Sequence, residues 1–183
     1  MATKSNPIAQ HSQHAHTETT GLKEFFIDSL KDIYWAEKHL SKALPRMAQR
    51  ATSRELKVML QKHLSDTENQ VIRLEQVFSS LNEKAIAKKC EAMDGLLREA
   101  DTIIAETGDG SMTRDVGLIT AAQKIEHYEI ATYGTMKTLA EVLGFVVAAD
   151  IFDQILQEEK SADVHLTQLA EASVNESALR ETR

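Results

Sequence analysis

From Leu22 onward, apolar residues recur three and four positions apart, the spacing that gathers them on one face of an α-helix. The first stripe, Phe26, Leu30, Ile33, Leu40, Leu44 and Met47, predicts a helix from Leu22 to about Arg50, with Pro45 bending it near its end. Thr52 and Ser53 offer N-caps for a second helix, Arg54 to about Leu81. Its stripe is Leu56, Met59, Leu60, Leu74, Val77 and Leu81, and Asn82 is its expected stop. A shorter amphipathic piece, roughly Glu91 to Glu106, closes at the turn Gly108, Asp109, Gly110. A third long helix is expected from about Thr113 to Leu143, with Ile119, Ala122, Tyr133, Met136, Ala140 and Leu143 inward and Gly144 just past its end. The fourth, about Val146 to Ala172, uses Ala148, Phe152, Ile155, Leu166 and Leu169. Two tight helical hairpins joined by one long crossover that carries a short extra helix make an all-α four-helix bundle.

Each of the four stripes is broken near its middle by acidic or amide side chains. Glu37 stands where the first stripe calls for a leucine. The second helix carries His63, Asp66 and Gln70, with Thr67 beside them; the third carries Glu126 and Glu129 one turn apart on the inward face. On the fourth, Glu159 lies inside the stripe and Asp163 one turn further on. Antiparallel helices of similar length bring their midpoints to one level, so Glu37, Asp66, Glu126 and Glu159 are expected to converge. Buried carboxylates crowded together must be neutralised by protons, basic partners or cations, and Arg73 is the one inward cation nearby. Metal cations are the most economical answer. A single acid in a helix is usually an edge residue reaching for solvent. Edge acids have no reason to choose the same height on four helices. Glu68, Glu75, Glu141 and Glu158, on other faces, are read as solvated surface charge.

Composition narrows the picture. The chain has 183 residues, 42% hydrophobic and 5% aromatic, with two prolines and seven glycines, which suits one domain of long helices better than strands. A net charge of -7 repels phosphate backbones and anionic surfaces, so no nucleic acid and no membrane partner is expected. The lone Cys90 and the lack of an apolar run near the roughly 20 residues needed to span a bilayer make the cytoplasm the default compartment. Residues 1–20, rich in Ser, Thr, Gln and His, read as a disordered polar tail, 21–175 as the bundle and 176–183 as a C-terminal tail. His11, His14 and His16 are scattered tail histidines, better explained as solvated than as ligands.

The run Glu126-His127-Tyr128-Glu129 followed by Tyr133, with Glu37 on the first helix and Glu158-Glu159 on the last, resembles the dimetal carboxylate helices of the ferritin-like superfamily, rubrerythrins included. His63-Leu64 through Asp66-Thr67 to Gln70, Ala121 to Ala131 with Tyr133-Gly134, and Glu158-Glu159-Lys160 with Ala162-Asp163 resemble the YciF-like bacterial stress proteins more closely. The likeness covers Leu22 to Ala172. It implies a ferritin-like fold, a homodimer and a link to general or osmotic stress. It also implies two divalent ions, with Asp66 and Glu159 bridging, Glu37 and Glu126 terminal, and Glu129, Gln70, Asp163 and His63 completing or supporting the sites. In one respect the chain departs from the pattern. Ferritin-like oxidases usually carry Glu-x-x-His on the second and fourth helices, where this chain has Asp66-x-x-x-Gln70 and Glu159-x-x-x-Asp163. His63 can supply a nitrogen ligand or hold a carboxylate by a hydrogen bond. The oxygen-dominated set favours manganese, magnesium or calcium, with iron retained as an alternative.

Two functions follow from different classes. One is an oxidoreductase cycling two iron or manganese ions against peroxide; the substrate itself is left open. The other is a structural or interaction protein in which magnesium, calcium or bound protons only hold the bundle together. Iron storage would need a cage of many subunits, and DNA protection a basic tail, where this one has only Lys4.

Overall fold

A computed structural model describes residues 21–181; the reading of 1–20 as a tail lies outside them. Every regular element among the described residues is helical. Helix α1 spans Gly21–Arg50, α2 Arg54–Ser80, α3 Glu91–Glu106, α4 Met112–Leu143 and α5 Val146–Leu169. A π-helical turn, Ala170–Val174, leads into α6, Asn175–Leu179. Helix α1 runs on through Pro45, which lies on the exposed side of the helix.

The α1–α2 and α4–α5 hairpins pack against each other through α1·α4 and α2·α5 contacts, and α3 lies on α4 and α1. This is the ferritin-like four-helix bundle with one long crossover. Its turns follow local chemistry. Ser53 and Ser111 accept from Leu56 N and Arg114 N as N-caps of α2 and α4. Asn82 adopts φ 56° just beyond α2, and Gly144 adopts φ 75° between α4 and α5, the left-handed conformation that ends a helix.

Further groups tie the elements together. Asp115, fully buried in the first turn of α4, accepts from Thr52 N and Ser53 N, both at 2.6 Å, and so closes the α1–α2 corner. Cys90 caps α3 through Met93 N, and its sulfur lies 3.1 Å from the Tyr128 hydroxyl, which donates to Asp32 on α1 at 3.0 Å. The C-terminal end is fastened as well. Val174 is buried, and Glu181 accepts from Met112 N, Thr113 N and the Thr113 hydroxyl at the start of α4.

The core above and below mid-height is apolar. Phe26 packs against Phe145 and Phe152 with ring centroids 5.4 and 6.1 Å away, while Leu30, Ile33, Leu40, Leu56, Leu74 and Met136 are at most 1% exposed. Each such side chain contributes about 1.5–3 kcal/mol by leaving water. One uncompensated buried carboxylate costs several kcal/mol, enough to offset two of them.

Candidate metal centre

The middle of the bundle breaks that apolar rule on all four long helices. Spacings of three, four and seven residues bring His63, Thr67 and Gln70 of α2, and Glu126, Glu129 and Tyr133 of α4, onto inward faces. Glu37 of α1 and Glu159 of α5 join them. Glu37, Glu126, Glu129 and Glu159 are all at most 1% exposed.

His63, Glu126, Glu129 and Glu159 each offer one ligand atom, and these atoms all lie within 4.8 Å of one another. The His63 Nδ1 is 2.8 Å from Glu126 Oε1, but without the alignment of a hydrogen bond. Glu37 Oε2 and both oxygens of Glu126 and Glu129 have no hydrogen-bond partner among the described residues. Buried oxygens normally find one, so these carboxyls must either share protons with one another or meet a cation.

The electrostatics agree. Burial, reinforced by the charge of Glu159, pushes the Glu37 carboxyl up to about 8. Burial likewise raises Glu126 to about 8, where Glu37, Asp163 and Asp66 add to the shift. Glu159 is raised to about 8 by burial, against the opposing pull of His63. Glu129 is driven well above the usual carboxylate range by burial and then by Glu37, Glu159 and Glu126. Four acids arranged in this way must hold protons or cations at neutral pH. Their oxygens fit a hard divalent cation, and His63 adds a nitrogen.

Neighbours hold these acids in place. Tyr133 donates its hydroxyl to Glu37 Oε1 from a fully buried position. Gln70 donates through Nε2 to Glu159 Oε1 and, at 3.1 Å, to Glu158 Oε2. The guanidinium of Arg73 grips both oxygens of Glu158. The reading of Glu158 as solvated charge is therefore corrected: it is half-buried and bonded to two α2 side chains. Glu75 stays exposed, as expected, while accepting from the Tyr34 hydroxyl at 2.7 Å.

Of the residues singled out in the sequence, Glu37, His63, Gln70, Glu126, Glu129 and Glu159 come together. Asp66 and Asp163 stand at the edge. Asp66 is half-buried and paired with Lys62. Asp163 accepts from Gln123 Nε2 at 3.1 Å, and His127 Nε2 lies 3.4 Å away. The sequence places Tyr133 on the inward stripe with no catalytic part, and there it secures Glu37. Arg73, an inward cation without an assigned acid, was the available pointer to Glu158.

Comparison with known proteins supports this architecture. Residues 21–179 match the family described as Domain of unknown function (DUF892). Protein YciF of Escherichia coli (strain K12) is 44% identical over 158 residues, spanning 86% of this chain and 95% of that protein. The crystal structure of the E. coli stress protein YciF superposes with a TM-score of 0.81 over 85% of this chain and 98% of that one. YcfI from Rhodopseudomonas palustris, 39% identical, superposes with a TM-score of 0.78 over 83% and 96% of the two chains. A Xanthomonas campestris pv. campestris protein, 24% identical, shares the fold at a TM-score of 0.67 over 87% and 97%. With its bundle, crossover and mid-height acids, this chain belongs to the ferritin-like DUF892 family and is closely related to the YciF-like bacterial stress proteins.

Proposed function

We propose that this protein binds two divalent metal ions at mid-bundle and serves the bacterial stress response through redox chemistry linked to peroxide or oxygen. The observation that carries this reading is the set of buried, unpartnered oxygens of Glu37, Glu126 and Glu129 beside His63 and Glu159. Charge supports the stoichiometry, since four buried carboxylates are neutralised by two divalent cations.

In this proposal Glu126, Glu129, Glu159, Glu37 and His63 hold the ions, with Asp66 and Asp163 as further oxygen donors at either edge. Iron or manganese bound there supplies electron exchange with peroxide or oxygen. Gln70 and Arg73 with Glu158 orient Glu159, and Tyr133 orients Glu37, so the donor atoms are pre-placed rather than gathered at a cost in entropy. Glu37, Glu126, Glu129 and Glu159 are each at most 1% exposed, which limits their contact with bulk water. A homodimer in the cytoplasm is the proposed working form, and the stress link rests on the description of the E. coli relative.

A second reading, a structural role for bound magnesium or calcium, is favoured by the oxygen-rich donor set, with its single imidazole. Elemental analysis of protein purified without chelator or affinity tag separates the two. About two iron or manganese ions per chain that change oxidation state on adding peroxide would support the first reading. Magnesium or calcium alone would replace it with the second.

A further inference from the structure

Between α2 and α5 a pocket of about 470 Å³ opens to the surface. Most of its accessible wall is apolar, with Met59, Leu60, Ala122, Ala162 and Leu166; Gln157, Ser161 and His165 add polar groups, and it reaches His63 and Glu126 of the metal centre. The charged groups around it are already committed: Lys62 pairs with Asp66, while Glu158 is held by Arg73 and Gln70. Among the described residues lining it, no uncommitted lysine or arginine is available to hold an anionic ligand. The His63 Nε2 is buried without a hydrogen-bond partner, and its side chain is 10% exposed. A largely apolar passage that reaches the partly exposed side chain of His63 beside the metal centre fits a neutral molecule with an apolar body and a small polar head.

We propose, building on the peroxide-linked reading above, that this pocket selects an organic hydroperoxide, ROOH, over hydrogen peroxide. The R group lies against Met59, Leu60, Ala122, Ala162 and Leu166, and the hydroperoxyl head meets His63 and Glu126. Hydrogen peroxide has no apolar group to bury against these side chains, whereas an alkyl or aryl group gains by leaving water. The reduction balances as ROOH plus two protons and two electrons giving ROH and water. The O–O bond breaks, and the electrons are those of the two reduced ions of the proposed site.

The test pairs a binding measurement with a rate measurement on the full chain. Cumyl alcohol, the unreactive analogue of cumene hydroperoxide, is titrated into ¹³C-methyl-methionine-labelled protein in magnesium buffer. The Met59 methyl signal is expected to shift while those of Met47 and Met112 stay fixed. In stopped flow, cumene hydroperoxide is expected to oxidise the reduced, metal-loaded protein roughly tenfold or more faster than hydrogen peroxide, the range a filled apolar pocket provides. Ala162→Leu, which fills the pocket, and Met59→Ala, which widens it, should both lower that ratio, with circular dichroism melts confirming that each folds. No shift at Met59, or oxidation by cumene hydroperoxide no faster than by hydrogen peroxide, overturns the pocket assignment and leaves the metal reading standing. Oxidation by neither peroxide overturns both.

Discussion

Tyr133 on α4 donates its hydroxyl hydrogen to Glu37 on α1 across the centre of the bundle, and neither side chain reaches solvent. The contact holds the one acid contributed by α1 in line with those of α4 and α5. Tyr133→Phe is expected to destabilise the protein by about 1–3 kcal/mol, the cost of removing a partner from a buried polar atom. Urea denaturation at fixed metal concentration measures it. An unchanged midpoint would show that Glu37 does not depend on Tyr133.

The raised acids fix the sign of a pH effect. Glu37, Glu126 and Glu159 have folded-state values of about 8 against a usual carboxylate value of 4.5, so between these limits the folded chain binds more protons than the unfolded chain. Metal-free protein is therefore most stable at the acidic end of that window and loses stability as pH rises toward 8. The slope is at most about 1.4 kcal/mol per pH unit for each group. Chelator-treated protein unfolded in urea from pH 5.5 to 8 should show this decline, and saturating metal should flatten it. A metal-free stability that rises with pH would contradict the buried cluster.

Glu129 sits closest to the other three acids in electrostatic terms, being raised by each of them after burial itself. Glu129→Gln removes one charge with almost no change of shape. The metal-free form should become more stable at pH 8, by about 1–4 kcal/mol, and metal affinity should fall. Thermal melts with and without chelator test both halves. A variant that binds metal as tightly as wild type would take Glu129 out of the ligand set.

Asp115 offers a prediction independent of metal. It is fully buried and accepts two backbone hydrogens from the α1–α2 corner. Asp115→Ala leaves both donors unsatisfied and should cost about 2–4 kcal/mol, whereas Asp115→Asn, retaining one carbonyl oxygen, should cost less. Equal urea midpoints for the two variants would refute this account.

The bundle was legible in the sequence because its signals are local and repeated. Apolar spacing, Ser53, Gly144 and the length of the crossover each depend on neighbours only a few residues away. Glu37, Glu126 and Glu159 were legible for a related reason: an acid inside an apolar stripe is a local anomaly. Side-chain direction was much less accessible. Asp66 and His63 are one turn apart on α2, and spacing does not tell which turns toward α4 and which toward Lys62. Glu158, adjacent to Glu159, was read as surface because a helix wheel shows one helix at a time, while Arg73 and Gln70 reach it from another. The contacts of Glu181 were out of reach for the same reason. Glu181 has no periodic stripe around it, and its partners are sixty-odd residues upstream.

The borrowed acids at the two helix starts also impose an order on synthesis. Ser53 and Ser111 satisfy one donor each, while Thr52 N and Ser53 N, just before α2, wait for Asp115, and Met112 N and Thr113 N, at the start of α4, wait for Glu181. On the ribosome, the first hairpin therefore emerges with an unfinished corner that is sealed only when α4 appears. The start of α4 in turn is finished only when residue 181 clears the exit tunnel. A nascent chain stalled short of that point holds all four long helices yet lacks its final clasp.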